Sequence, residues 1–379
     1  MTVCNPPELG SLNIIIFGLS ITSAWGNGHA TTYRALVRAL HRRGHRVRFF
    51  ERNMPWYEQH RDLASPAYCS VQLYSSIEAL EQYTRELAGA DLVIIGSYVP
   101  EGRRLVDWVL PRASGVKAFY DIDTPVTVSR LANGTCEYLE PAQVPRFDLY
   151  LSFAGGPILE RLCTEFGASR PRPFYCSVEP LEYSPIPGAT KRYDLGYLGT
   201  YSADRQPVLE RLLLGPARRW REGSFYVAGA QYPAGIEWPA NVTRAEHLAP
   251  ATHRNFYNHQ RFTLNITRAD MVANGYSPSV RLFEAAACAI PIISDSWTGL
   301  EEFFRPGREI LIARSTSDVL DWLHHLDDIE VRQIGARARH RVLQHHTAAH
   351  RAEELENHVV ELLGSISIRR DWHPARETA

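Results

Sequence analysis

The apolar positions of this chain fall into two successive alternating series. The run LNIIIF predicts a buried strand, and ATTYRALVRALHRRG repeats apolar residues at helical spacing as far as Gly44. HRVRFFE, ADLVIIGS, GVKAFYDID and FDLYLSF predict further strands, with SSIEALEQYTREL, RRLVDWVL and GPILERLCTEFG as helices among them. From Arg170 to Arg192 the chain turns rich in Pro, Ser and Gly, as an interdomain connection does. Then YDLGYLG, SFYVAG, NVTRAEHL, FTLNIT, IPIISD and EILIAR read as strands. RQPVLERLLLGPARRW, HRNFYNHQ, PSVRLFEAAACA, GLEEFF and TSDVLDWLHHL read as helices, and EVRQIGARARHRVLQHHTAAHRAEELENHVVELLG as a long closing one. Strands alternating with helices predict α/β architecture with parallel sheets covered on both faces. The expected organisation is two doubly wound, Rossmann-like domains facing a central cleft. Residues 1–180 form the first and 190–345 the second; 346–379 are a C-terminal helix, packing back on the first domain, and a tail.

Composition narrows the class without naming a function. The 379 residues are 45% hydrophobic and 22% charged, with a formal net charge of −1, so no global electrostatic case exists for a nucleic-acid or membrane partner. No apolar segment approaches the roughly 20 residues of a membrane span. The first apolar run already reads as a strand and not as a leader. Six cysteines with no CxxC pair suit reduced thiols, and the expected location is the cytoplasm.

Three stretches carry candidate chemistry. In SPSVRLFEAAACAIPIISD a helix with Arg281 and Glu284 one turn apart precedes an apolar strand, which places both at a sheet's ligand-binding edge. A carboxylate there suits a ribose diol and a guanidinium suits phosphate; the competing reading is a surface Arg–Glu pair. In FGLSITSAWGNGHATTYRAL a loop with Trp25, Gly26, Asn27 and Gly28 leads to a helix that opens near His29. Its spacing is not the dinucleotide fingerprint, and Glu51 after the second strand is a weak match for a ribose acid. His29 is a candidate general base, since imidazole matches neutral-pH proton transfer, or simply a helix-start residue. In AFYDIDTPVT, Asp121 and Asp123 alternate along a strand and so face opposite ways; Asp123 is a candidate acceptor-binding residue or base, or a turn cap. His346 and His350 have i, i+4 spacing but lack a third ligand, so no metal site is expected.

The segments NITRAD, GYSPSVRLFEAAACAIPIISD, GLEEFFRPGREILIA and HRAEELE resemble the CgeB-like glycosyltransferases, a family named after a spore maturation protein, whose fold is GT-B. The resemblance implies a hexosyltransferase that moves a sugar from a nucleotide-diphosphate donor, a UDP-sugar being expected, to an acceptor held by the first domain. It implies that Glu284 holds the nucleotide ribose and that Tyr276 and Ser279 line the donor site. A departing diphosphate asks for fixed cations, for which Arg281, Arg268 and Arg205 are the candidates; Arg268 could instead pair with Asp270 or Glu284, and Arg205 could instead be solvated. The glycine loop, with Trp25, would lie between acceptor and phosphates, with His29 and Asp123 competing for the base role. No metal or other cofactor is implied. The acceptor stays open among glycan, metabolite, protein and modified nucleic acid. Many retaining GT-B enzymes carry a second Glu where this chain has Tyr276, which leaves retaining or inverting chemistry open. It also keeps a non-catalytic nucleotide-sugar binder as the alternative.

Overall fold

A computed structural model describes residues 10–25 and 28–371. Thirteen strands are found among them, all in two parallel sheets. In chain order, the first sheet comprises β1 (Asn13–Gly18), β2 (Arg46–Arg52), β3 (Ser70–Tyr74), β4 (Leu92–Gly96), β5 (Val116–Asp121), β6 (Leu149–Ser152) and β7 (Pro171–Pro173). The second comprises β8 (Tyr193–Leu198), β9 (Phe225–Ala228), β10 (Val242–Ala245), β11 (Gln260–Asn265), β12 (Ile292–Ser294) and β13 (Leu311–Ile312). The spatial orders are β3-β2-β1-β4-β5-β6-β7 and β10-β9-β8-β11-β12-β13. Each reverses direction once, between β1 and β4 and between β8 and β11. Doubly wound sheets bind ligands beyond the carboxyl ends of the strands at such a reversal.

The chain divides into two compact units. The N-terminal unit holds the residues up to Ser152, Leu159–Phe174 and the chain from Ala348 onward. The C-terminal unit holds Phe153–Ile158 and Tyr175–Thr347. In the N-terminal unit, β1 and β4 are buried on both faces, as their unbroken apolar runs require. The helix His29–Arg42 lies close on this sheet because Gly18 and Gly96 leave room for Tyr33. A Cβ on Gly96 would sit 1.9 Å from the Tyr33 hydroxyl, and one on Gly18 would sit 2.2 Å from the Phe49 ring. The last helix, Ala348–Asp371, packs on that first helix. Glu356 secures it, accepting from Arg43 Nε at 2.6 Å and meeting His45 Nε2 at 2.5 Å. In the C-terminal unit, Leu195, Tyr197, Phe262, Leu264 and Ile293 form a core with Leu212, Leu213 and Leu214.

Three sequence expectations need correction. The closing helix is two, Asp328–His345 and Ala348–Asp371, because the backbone leaves helical geometry at His346. His346 and His350 therefore do not share a helix face; the His346 ring instead stacks on Phe283, centroids 4.7 Å apart. The Pro-rich connection contains an edge strand, β7, whose prolines sit where few ladder donors are needed. The stretch after Asp123, read as a turn, is the helix Thr124–Ala132, with Pro125 in its first turn.

Candidate active site

In the N-terminal unit, the loop after β1 is pinned from below. Glu51, fully buried at the end of β2, accepts from the Ile21 amide at 2.7 Å, the Thr22 amide at 3.0 Å and the Thr22 hydroxyl at 2.6 Å. Arg34 holds Asp62 through two contacts of 2.8 Å and donates from Nε to the Ile21 carbonyl at 2.8 Å. Asp62 in turn accepts from the Ala24 amide at 3.0 Å. The amides of Ile21 and Thr22 are thus spent on a carboxylate of the protein itself, so this part of the loop is no phosphate cradle. Trp25 is half exposed and stacks on His60 at 4.4 Å. Gly26 and Asn27 lie outside the described residues. Gly28 is the N-cap of the first helix, with an ordinary φ of −82° and open space where a Cβ would stand.

His29 begins that helix and meets the Tyr98 ring edge-on, centroids 5.4 Å apart. The Tyr98 hydroxyl donates to Asp123 Oδ2 at 3.0 Å. His29, Tyr98 and Asp123 therefore gather beyond the ends of β1, β4 and β5, at the sheet's reversal. Tyr98 reaches this position through a left-handed backbone, φ 62°, of the kind that functional sites retain. Burial lowers the His29 pKa to about 4, so the ring is neutral at pH 7 and its Nδ1 has no hydrogen-bond partner among the described residues. That value lies well below the neutral range that suggested imidazole as a base. Asp123 stands at the N-cap of Thr124–Ala132, yet its side chain makes no cap bond. Asp121 points into the core, accepting from Thr127 and Tyr150, each at 2.6 Å, and burial raises its pKa to about 6.

The C-terminal unit carries a different electrostatic arrangement at its own reversal. Arg281 donates from Nε to the carbonyl of Leu198, the last residue of β8, and from Nη1 to Asn265 Oδ1 at 3.2 Å. Its guanidinium lies over the Tyr197 ring, 5.2 Å from the centroid. Arg205, at the start of the next helix, donates to the Thr200 carbonyl at 2.6 Å, and its Nε has no partner among the described residues. Burial holds the Arg205 pKa below its usual value, and the neighbouring Arg281 charge acts in the same direction. Neither guanidinium forms an ion pair with a described carboxylate. The loop between them is tight: a Cβ on Gly199 would come within 3.0 Å of Arg281, and one on Gly229 within 1.9 Å of the Gly199 carbonyl. Arg268 follows β11 and caps the short helix Ala269–Asn274, whose first amide donates to Asp204 at 2.8 Å.

Glu284 and Arg281 are not a surface pair. Glu284 is buried, and its Oε2 accepts from Tyr257 at 2.9 Å. Ser279 caps the helix that carries both residues, Val280–Ala287, accepting from the Arg281 amide at 3.2 Å. Tyr276 has φ 47°, and its ring is held between the backbones of Gly156 and Gly299, where added Cβ atoms would lie 2.3 and 2.4 Å away. Tyr257, Asn265 and Tyr197 escaped the sequence reading because they sit in an ordinary amphipathic helix and apolar strands. Only their partners reveal them.

Residues 205–357 match a family model described as glycosyl transferase-like. This part of the chain is similar to that family. Among curated proteins, none matches by sequence. Solved structures that resemble the chain include sucrose-phosphate synthase from Thermosynechococcus elongatus, 14% identical with a TM-score of 0.68. HepE of Anabaena, solved with UDP and glucose, is 12% identical with a TM-score of 0.65. An α-glucosyltransferase in complex with UDP and a 13-mer DNA containing a HMU base is 13% identical with a TM-score of 0.69. Each comparison covers 93% of this chain and 100% of the other. The fold is therefore GT-B, and the matched stretch contains Arg205, Arg268, Arg281 and Glu284. Among the described residues, no helix is long and apolar enough to cross a membrane.

Proposed function

We propose that the protein is a glycosyltransferase of the CgeB-like group that moves a sugar from a UDP-sugar to an acceptor hydroxyl, in the cytoplasm and without a metal. The observation that carries this reading is the pair of partly buried guanidiniums, Arg205 and Arg281, close enough for the Arg281 charge to act on Arg205 and with no ion pair to a described carboxylate. Two such cations repel and lose hydration, and a dianionic diphosphate is the partner that offsets both costs. In the reaction the acceptor oxygen bonds to the anomeric carbon, the bond to the diphosphate breaks, and the electron pair leaves with UDP. Arg205, Arg281 and Arg268 stabilise that growing negative charge, the task other enzymes assign to a metal. Glu284 holds the ribose, while Ser279 and Tyr276 shape the donor loop.

The acceptor belongs to the N-terminal unit, where His29, Tyr98 and Asp123 stand at the sheet reversal. Asp123 is the proton acceptor in this reading. Neutral His29 orients a substrate hydroxyl, since a ring with a pKa of about 4 is a poor base at pH 7. The UDP complexes of the structural neighbours support the choice of uridine, and the DNA in one of them keeps a nucleic-acid acceptor among those to be tried. The test is a thermal-shift screen with UDP, GDP, TDP and their sugars, run beside Glu284→Ala. A ligand at 100 times its Kd stabilises by about 2.7 kcal/mol. UDP alone should raise the melting temperature, and Glu284→Ala should shrink the shift. A folded protein that responds to no nucleotide would refute the donor site.

A further inference from the structure

The Glu284 carboxylate is held by buried hydroxyls. Its Oε2 accepts from the Tyr257 hydroxyl at 2.9 Å. Tyr257 comes from the helix Pro250–Asn258 and is fully buried. A second buried tyrosine, Tyr183, places its hydroxyl beside the same carboxylate. The two rings lie 6.4 Å apart, centroid to centroid. Burial and then the Glu284 charge push both phenols well above their usual pKa, so each is a hydroxyl donor at every working pH. Burying two phenols against one carboxylate is a costly way merely to fill space, because an apolar side chain of the same shape would pack there without a polar group to satisfy.

We infer that Tyr257, assisted by Tyr183, is a positioning residue that fixes the Glu284 carboxylate from behind, so that it is turned toward the ribose hydroxyls of the donor nucleotide. This rests on the donor-site reading proposed above. A glutamate on a helix has three rotatable side-chain bonds, and one free to turn would lose affinity each time it had to be ordered. A buried hydroxyl bonded to Oε2 removes that freedom before the nucleotide arrives. Neither tyrosine touches the nucleotide, so their effect should reach only the part of the affinity that comes from ribose hydroxyls.

Calorimetric titration of UDP and of 2′,3′-dideoxy-UDP, which lacks both hydroxyls, separates that part. Glu284→Ala should bring UDP affinity down to that of the dideoxy compound. Tyr257→Phe should weaken UDP about tenfold, as expected for a hydrogen bond to a charged group, and should leave dideoxy-UDP within about twofold, the selectivity that marks positioning. Tyr183→Phe should show the same selective loss, smaller in size. Equal weakening of both ligands by Tyr257→Phe, or no weakening of UDP, would overturn the positioning role. Should Tyr257→Phe fail to fold, Tyr183→Phe decides the matter, and an absence of selective loss there overturns the inference. A Glu284→Ala protein that binds UDP as the wild type does would instead refute the donor-site reading.

Discussion

Replacing Glu51 tests how the loop before His29 is held. The carboxylate is fully buried and receives three hydrogen bonds, two from backbone amides on Oε2 and one from the Thr22 hydroxyl on Oε1. Glu51→Gln preserves shape. Its amide oxygen can keep Ile21 and Thr22, but the charge assistance is lost, and Thr22 Oγ1, already an acceptor from Arg61 Nε at 3.3 Å, loses its own acceptor. Hydrogen bonds to ionised groups contribute roughly 1.5–3 kcal/mol and neutral ones about 1, so the glutamine variant should cost about 2 kcal/mol. Glu51→Ala strands all three donors in a site that water does not reach. Each stranded donor costs about 1–3 kcal/mol, which gives about 5 kcal/mol in total. In a unit of this size one kilocalorie per mole moves the midpoint by roughly 2–4 °C, so the alanine variant should melt about 10–20 °C lower and the glutamine variant about 4–8 °C lower. Thermal melts give the midpoints, and native-state hydrogen exchange should show the Ile21 and Thr22 amides losing protection first. An alanine variant that melts within about 3 °C of wild type, or a glutamine variant as damaged as the alanine one, would refute this account of the loop.

Further outcomes follow from the same geometry. Arg205→Met removes one of two repelling, partly buried cations, so it should leave the melting temperature of the ligand-free protein unchanged or higher while abolishing stabilisation by UDP; a variant that still responds to UDP would remove Arg205 from the donor site. Gly299→Ala forces a side chain onto φ 88° and into the Tyr276 ring 2.4 Å away; it should cost about 2–4 kcal/mol in urea unfolding, and a cost under about 1 kcal/mol would refute that packing. Asp121 has a pKa raised to about 6 in the fold, so the folded state holds its proton more tightly than the unfolded chain, and the stability it contributes is lost as pH rises from about 4 to 6. Relative to Asp121→Asn, the wild type should lose about 3 kcal/mol across that window; urea titrations at pH 4, 5, 6 and 7 measure it, and a difference that does not vary with pH would refute the shift. His29, lowered to about 4, acts in the opposite sense: its contribution is lost as pH falls from about 6.5 to 4, so His29→Leu should be the less acid-sensitive protein in the same titrations.

What the sequence disclosed depended on how local each signal was. β1 and β4 are nearly unbroken apolar runs because both faces of a parallel sheet are covered, and periodicity finds such runs. β3 was invisible, since SVQLY sits at the sheet's edge and is only partly buried. The helix after Asp123 was hidden by Thr124-Pro125, a pair that opens turns and helices alike. The break at His346 carries no Gly or Pro; it coincides with the stacking of that ring on Phe283, a contact made far along the chain. Residue types also suggested site chemistry that only burial could weigh. Imidazole looked matched to neutral pH until its surroundings were known. The Arg281–Glu284 spacing fitted a surface pair equally well until Asn265 and Tyr257 appeared as their separate partners.

The two sheets share an architecture but have opposite electrostatics at their reversals, and this asymmetry argues for a division of labour. After β1, the amides that could receive an anion are occupied by Glu51, a negative charge set beneath the loop. A diphosphate brought there would meet a carboxylate and two amides already spent. After β8, the hydrogen-bond acceptors that hold the two guanidiniums are neutral, the Leu198 and Thr200 carbonyls and the Asn265 amide oxygen, and the nearby Asp204 carboxylate acts on Arg205 only through its charge. Neutral acceptors fix geometry while leaving the field outside them positive, which is what a site must do to stabilise charge that appears only as a bond breaks. Had carboxylates replaced those three groups, the arginines would be held as firmly and the diphosphate would gain far less from them. The choice of neutral partners, more than the number of arginines, is therefore what favours the C-terminal unit for the leaving group of the proposed reaction.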